Sequence, residues 1–357
     1  MLCFLCRAVP ALAMVFLLPV TATASSGVVA SVLPVHSLVA GVMQGVGAPQ
    51  LLVTGAASPH DFALTPSAAR ALQSASAVFW VGAGLETFLV KPLAALSQDA
   101  AVVALGTHVP LLEGREGGSW EAHDEAGHQE SEHKEADHNH TDHKDSGHRE
   151  ADHGATRHSG SESGHHGHEG HHDHDHDHDH DHDHARDLHV WLDPVTAQAM
   201  VRVIVATLQK TDPANAPAYA ANGEALLRRL DTLDKGLRDT LAPVRTIPYI
   251  VFHDAYQYFE RRYGMNAVGS LTISPERSPG VKRLYEIREK IHATGARCVF
   301  AEPQFAPALV ATVLEGTQAK AGTLDPVGAE IPPGPDAYFT LLENLAAGLR
   351  TCLGGPG

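Results

Sequence analysis

Between Glu113 and Asp187 the chain loses every pattern from which a hydrophobic core could be built. This stretch contains 22 acidic and 6 basic residues. Its first half repeats His at five-residue intervals from His123 to His158, and from His172 to His184 histidine alternates with aspartate. With almost no aliphatic or aromatic side chains to bury, it cannot offset the entropy of ordering, so the sequence predicts a disordered insertion over 113–187. The fold must be built from what lies on either side. The insertion also accounts for the whole net charge of −16, because the remaining chain carries 20 acidic and 20 basic residues. Acidity belongs to one segment, which argues against a generally acidic protein and against a nucleic-acid binder.

Of the 26 histidines, 21 fall between His108, which marks the segment's start, and His184. His165, His166, His168, His171, His172, His174, His176, His178, His180, His182 and His184 stand one to three residues apart, most with carboxylates between them. In a flexible chain this is a multi-site, low-affinity, exchangeable ligand field for borderline metals such as Zn²⁺, Cu²⁺ or Ni²⁺. A merely hydrophilic linker needs no imidazole.

The N-terminus reads as a targeting segment. Arg7 precedes an apolar run from Ala8 to Val20, too short to span a bilayer comfortably, followed by Ala22-Thr23-Ala24. This predicts a secretory signal peptide over 1–24 and a mature chain outside the cytoplasm. Cleavage removes Cys3 and Cys6 and leaves Cys298 and Cys352. In an oxidising compartment the simplest reading of two such thiols is a disulfide. A cysteine metal site is disfavoured, since neither has a second Cys nearby.

On both sides of the insertion, short apolar runs alternate with helical patterns. "VVASVL", "QLLVTG", "AVFWVG" and "AAVVALG" read as strands, separated by "PSAARALQSA" and "LETFLVKPLAAL". After the insertion, Asp193 and Pro194 begin a helix. A pattern of nearly thirty residues from Pro213, interrupted only by Gly223 and Gly236, then reads as one long helix. "YIVFHDAY", "RCVFAEPQF" and "AGTLDPVG" are further strand ends, and a last helix runs from about Asp336 to Cys352. Alternation of this kind predicts an α/β fold of two wound lobes, with ligands bound in the cleft at the carboxyl ends of strands.

His60, His189, His253 and Asp325 each stand at a predicted strand-to-helix turn, divided between the two lobes. Three neutral imidazoles and one carboxylate suit tetrahedral Zn²⁺. Spacing alone leaves the alternative open, because isolated histidines are often simply packed.

The motifs "SPHDF", "HVWLDP", "VFHDAYQYFERRYG", "CVFAEPQF" and "GTLDPVG" resemble those of the periplasmic zinc-binding proteins of bacterial ABC importers, in the metal-specific cluster of solute-binding proteins. The resemblance runs from Val28 to Cys352, interrupted by the insertion. It implies lobes over 25–212 and 243–357 joined by one long rigid helix over 213–242, with a metal site in the interlobe cleft. It also implies metal ligands at His60, His189 and His253, with Asp325 or a water as the fourth. It implies a monomer without enzymatic activity that delivers Zn²⁺ to a membrane permease, the His-rich segment acting as a loose reservoir. Some zinc relatives carry Glu immediately before the first ligand His. Here that residue is Pro59. Manganese relatives replace the third His with Glu, whereas His253 favours zinc. A manganese-binding or adhesin-type protein, or one that stores metal, are the alternatives. A zinc hydrolase is a further one, weakened by the lack of an H-E-x-x-H motif or an evident general base.

Other residues read more plainly. His36 and His292 fall within predicted helices and read as structural or exposed. Trp191 reads as core. Asp254 is read equally as an acceptor that orients His253 and as a helix cap.

Overall fold

Val28, Val29 and Ala30 offer no polar side chain to either face of a sheet, and all three are buried in strand β1 (Val28–Ala30). Strands apolar on both faces belong in parallel sheets covered by helices on each side. The structure, a computed structural model, describes residues 27–115, 186–272 and 279–355. The signal peptide read over 1–24 and the loop histidines from His165 to His184 lie outside them.

Helix α1 (Leu33–Val42) begins with Pro34 in its first turn, where a missing N–H costs nothing. It is buried along its entire length. Strands β2 (Gln50–Leu51), β3 (Ala77–Trp80) and β4 (Ala101–Ala104) join β1 in a parallel sheet of order β2-β1-β3-β4. Helices α2 (Pro66–Gln73), capped by Thr65, and α3 (Thr87–Leu96) connect them.

The ordered chain reaches into the span read as disordered. Strands β5 (Leu112–Glu113) and β6 (Arg186–Asp187) pair antiparallel, Leu112 opposite Asp187 and Glu113 opposite Arg186. The insertion is therefore narrower than 113–187, because both of its ends are held in a ribbon. After a 3₁₀ turn over Val190–Leu192, α4 (Pro194–Thr211) starts where the Asp193 side chain accepts the Val195 N–H at 2.8 Å.

The long helix is α5 (Ala216–Leu241), 26 residues and about 39 Å. The sequence placed its start at residue 213, but Pro213–Asn215 forms a separate 3₁₀ turn. Tyr219, Gly223, Leu226, Leu230, Leu233, Leu237 and Leu241 give it a buried stripe at three- and four-residue spacing. Gly223 lets α4 come close: a Cβ there would lie 2.5 Å from Cγ2 of Val205.

The second sheet repeats the first. Strands β7 (Tyr249–His253), β8 (Ala267–Thr272), β9 (Cys298–Ala301) and β10 (Lys320–Thr323) are parallel in the order β10-β9-β7-β8. Helices α6 (Gln257–Tyr263), α7 (Val281–Thr294) and α8 (Ala308–Leu314) lie between them in sequence, and α9 (Ala337–Leu353) closes the fold. A disulfide joins Cys298 on β9 to Cys352 on α9.

One apolar core runs through both halves. It includes Phe79 of the first sheet, Leu226 and Leu230 of α5, Phe300 of the second sheet and Tyr338 of α9. In the second sheet, strand order reverses between β7 and β9, the kind of switch point outside whose carboxyl ends α/β proteins bind ligands. His253 ends β7 and Glu302 directly follows β9.

Candidate metal centre

Two loops and a strand end bring three imidazoles to that point. His60 stands on the loop after β2, with its backbone N–H donating to the Ser58 hydroxyl at 3.2 Å. His189 lies between β6 and the 3₁₀ turn before α4, and His253 is the last residue of β7. Their ring centroids are 5.4 to 5.8 Å apart. One nitrogen from each ring lies within 4.8 Å of the others, an arrangement that can hold a metal ion. His189 and His253 are buried, while His60 is half-buried and forms the more open side. The space between these rings and Pro59, Phe305 and Val327 admits the centre of a water-sized sphere over only about 10 Å³. That is room for about one such sphere, not for a small organic molecule.

Two of the rings are held from behind by carboxylates. Oδ1 of Asp187 accepts the His189 backbone N–H at 2.9 Å and faces its Nδ1 at 2.8 Å. Oε1 of Glu302 accepts the Tyr256 hydroxyl at 3.2 Å and faces Nδ1 of His253 at 2.7 Å. Each oxygen already accepts from another donor, so each Nδ1 carries the hydrogen and each Nε2 keeps a lone pair for the cavity. Glu302 is buried, and burial pushes its carboxyl well above the usual range. Its Oε2 has no hydrogen-bond partner among the described residues. Both carboxyl groups are thus used to orient imidazoles from behind and leave the ligand positions themselves open.

A family model described as zinc-uptake complex component A, periplasmic, matches residues 28–352. The chain belongs to this family. It is 47% identical over 329 residues to the high-affinity zinc uptake system protein ZnuA of Brucella abortus, covering 92% of this chain and 91% of that one. The ZnuA of Yersinia pestis is 35% identical over 332 residues, with 92% of each chain covered. Among solved structures, the periplasmic zinc-binding protein TroA of Treponema pallidum superimposes with a TM-score of 0.65 at 18% identity, covering 91% of this chain and 98% of that one. That likeness shows the two-lobed fold.

In this member of the zinc-uptake family, the structure does not bring Asp325 into the cluster. Its Oδ1 accepts from the Gln304 side chain at 2.8 Å and from the N–H groups of Val327 at 3.1 Å and Gly328 at 2.9 Å. Its Oδ2 accepts the Ala329 N–H at 2.6 Å. The carboxylate is thus spent on the turn that follows β10, a turn whose Pro326 and Val327 line the cavity. Asp254 takes neither of the roles read for it, and instead accepts from Arg115 at 3.1 Å. Burial raises its carboxyl to about 7, against the lowering influence of that guanidinium.

His36 is buried in α1 and bonds through Nε2 to the Pro49 carbonyl at 3.1 Å, a structural role, while His292 is exposed on α7. Trp191 is fully buried, donates to the Pro326 carbonyl at 2.8 Å and packs its ring against His189. The orienting acids Asp187 and Glu302 were not singled out from sequence. Asp187 was counted with the acidic insertion. Glu302 carries a usable signal, an acid immediately after the apolar strand "CVFA".

Proposed function

We propose that this chain captures Zn²⁺ outside the cytoplasm, with His60, His189 and His253 as ligands, and delivers it to the membrane permease of an ABC importer. What carries the reading is the convergence of three ring nitrogens within 4.8 Å, two of them on imidazoles backed by carboxylates. Three nitrogen donors favour zinc over the harder manganese ion. The nearby acids Asp187 and Glu302 are committed to imidazole Nδ1 atoms, which supports binding rather than hydrolysis. Water is the fourth ligand in this proposal. For Asp325 to take that place, it must give up its bonds to the turn after β10. Residues 1–24 serve as the signal peptide, the lobes fall at 25–212 and 243–357, and the chain acts as a monomer. The loop histidines form a weak reservoir, a role that rests on composition alone.

The test is competition of the metal-stripped full chain against a zinc chelator. His60→Ala, His189→Ala and His253→Ala should each abolish the tightest site, and His292→Ala should leave it intact. A tight site that survives all three substitutions refutes the assignment. Asp325→Asn should leave affinity unchanged; a loss as large as that of the histidine variants makes Asp325 the fourth ligand.

A further inference from the structure

The β5–β6 ribbon is gripped by a side chain from the other half of the molecule. Tyr258 stands on α6, five residues after His253, and is buried. Its hydroxyl accepts the Leu112 N–H of β5 at 2.9 Å and donates to the Asp187 carbonyl of β6 at 3.0 Å, with the Pro110 carbonyl at 3.4 Å. One hydroxyl thus holds both strands. A second tie is made by Arg115, just beyond β5, which reaches Asp254 at 3.1 Å and Glu260 at 2.7 Å. Both of these acids have side chains that are less than a tenth exposed. The residues so fastened matter, because Asp187 holds the His189 ring, and Asp254 and Glu260 lie on the segment that begins with His253.

We propose that Tyr258 and Arg115 are positioning residues of the metal centre. They clamp the ribbon carrying Asp187 and His189 against the segment carrying His253, and so fix the spacing of two imidazoles before metal arrives. This rests on the three-histidine reading. Ligands drawn from separate elements must otherwise be ordered at the moment of binding, and that cost subtracts from affinity. The clamp bears on His189 through Asp187, so its loss relaxes the ring without removing a ligand.

Tyr258→Phe removes the hydroxyl and leaves the ring and the charge unchanged. Arg115→Ala strands two buried carboxylates and endangers folding, so Arg115→Lys is the second variant, keeping the charge while losing the fork that reaches two acids. The full chain is loaded with one equivalent of Zn²⁺, and its release to excess chelator is followed by stopped flow. Tyr258→Phe should release its slowest zinc on the order of 10-fold faster, as for other residues that support metal ligands, and Arg115→Lys should move the same way. Cobalt-substituted Tyr258→Phe should also show an altered visible absorption spectrum. Arg229→Ala, which breaks an exposed ion pair with Asp336, should keep the original rate. A purely structural role would lower the melting temperature and leave release and spectrum alone, and that result overturns the clamp. If Tyr258→Phe matches the parent while His189→Ala loses the slow phase, the clamp fails and the site stands. If His189→Ala keeps the slow phase, the site reading fails and the clamp falls with it.

Discussion

Glu86 sits at 0% exposure in the turn after β3, where its Oε2 accepts the N–H groups of Val81 at 2.7 Å and Gly82 at 2.9 Å. Burial outweighs the lowering influence of the nearby Ser31 hydroxyl and of the Gly82 and Val81 N–H groups, and raises its carboxyl from 4.5 to about 7. The native state therefore holds this proton more tightly than the unfolded chain does. Its contribution to stability is complete below the unfolded value and is lost as pH rises through the native one. Glu86→Gln keeps an acceptor for the turn and removes the titration. Urea melts at about pH 5 and about pH 8 should show the parent losing more stability than the variant over that interval. Equal losses would mean that Glu86 titrates normally. At this scale the three histidines were legible because each sits in a recognisable motif, "SPHDF", "HVWLDP" or "VFHDAY". Asp187 and Glu302 were not: Asp187, only two residues from His189, is hidden by the acidic composition that precedes it, and what identifies Glu302 is pairing between segments far apart in sequence. Glu302 meets His253 only because β9 lies beside β7, and nothing local to "CVFAEPQF" states that.

Helices α4 and α5 show how an element can be legible while its packing is not. The periodicity that marks α5 also predicts that Gly223 is a weak point, because alanine is favoured over glycine in a helix interior by about 1 kcal/mol. The structure reverses that expectation. A methyl group at 223 would lie 2.5 Å from Cγ2 of Val205, a β-branched side chain on α4 with little rotamer freedom in a helix. Overpacking of this kind costs about 1–3 kcal/mol, so Gly223→Ala should be net destabilising by on the order of 1 kcal/mol. Adding Val205→Ala to Gly223→Ala should recover part of the loss in chemical denaturation. A Gly223→Ala protein more stable than its parent would show that the two helices have room to move apart. The elements the sequence missed have a shared cause. Strand β8 contains Gly269 and Ser270, and the ribbon strands are two residues each, too short for a periodic signal.

For the molecule as a whole, charge and core are segregated along the chain. Residues 116–185 carry 20 acidic and 4 basic side chains, leaving 22 of each elsewhere. Among the described residues, the apolar core that unites the two halves draws on positions from Val28 to Leu353, and the sequence of 116–185 offers it almost no apolar side chain. Glu113 and Arg186 pair across the ribbon, so the residues flanking that segment are neighbours in the fold. Replacing 116–185 by a short Gly/Ser linker should therefore preserve the fold. Closing a shorter loop costs less entropy, by about 0.6 kcal/mol for each halving, so the melting temperature should hold or rise. Arg115, Asp187 and Tyr258 all remain, so the tight site should survive with its affinity intact, while zinc bound beyond the first equivalent should disappear. Calorimetric titration of parent and deletion side by side measures both quantities. A deletion protein that folds but has lost tight binding would place a ligand of the high-affinity site inside the His-rich segment. The division between a preorganised three-histidine centre and a separate weak reservoir would then be wrong.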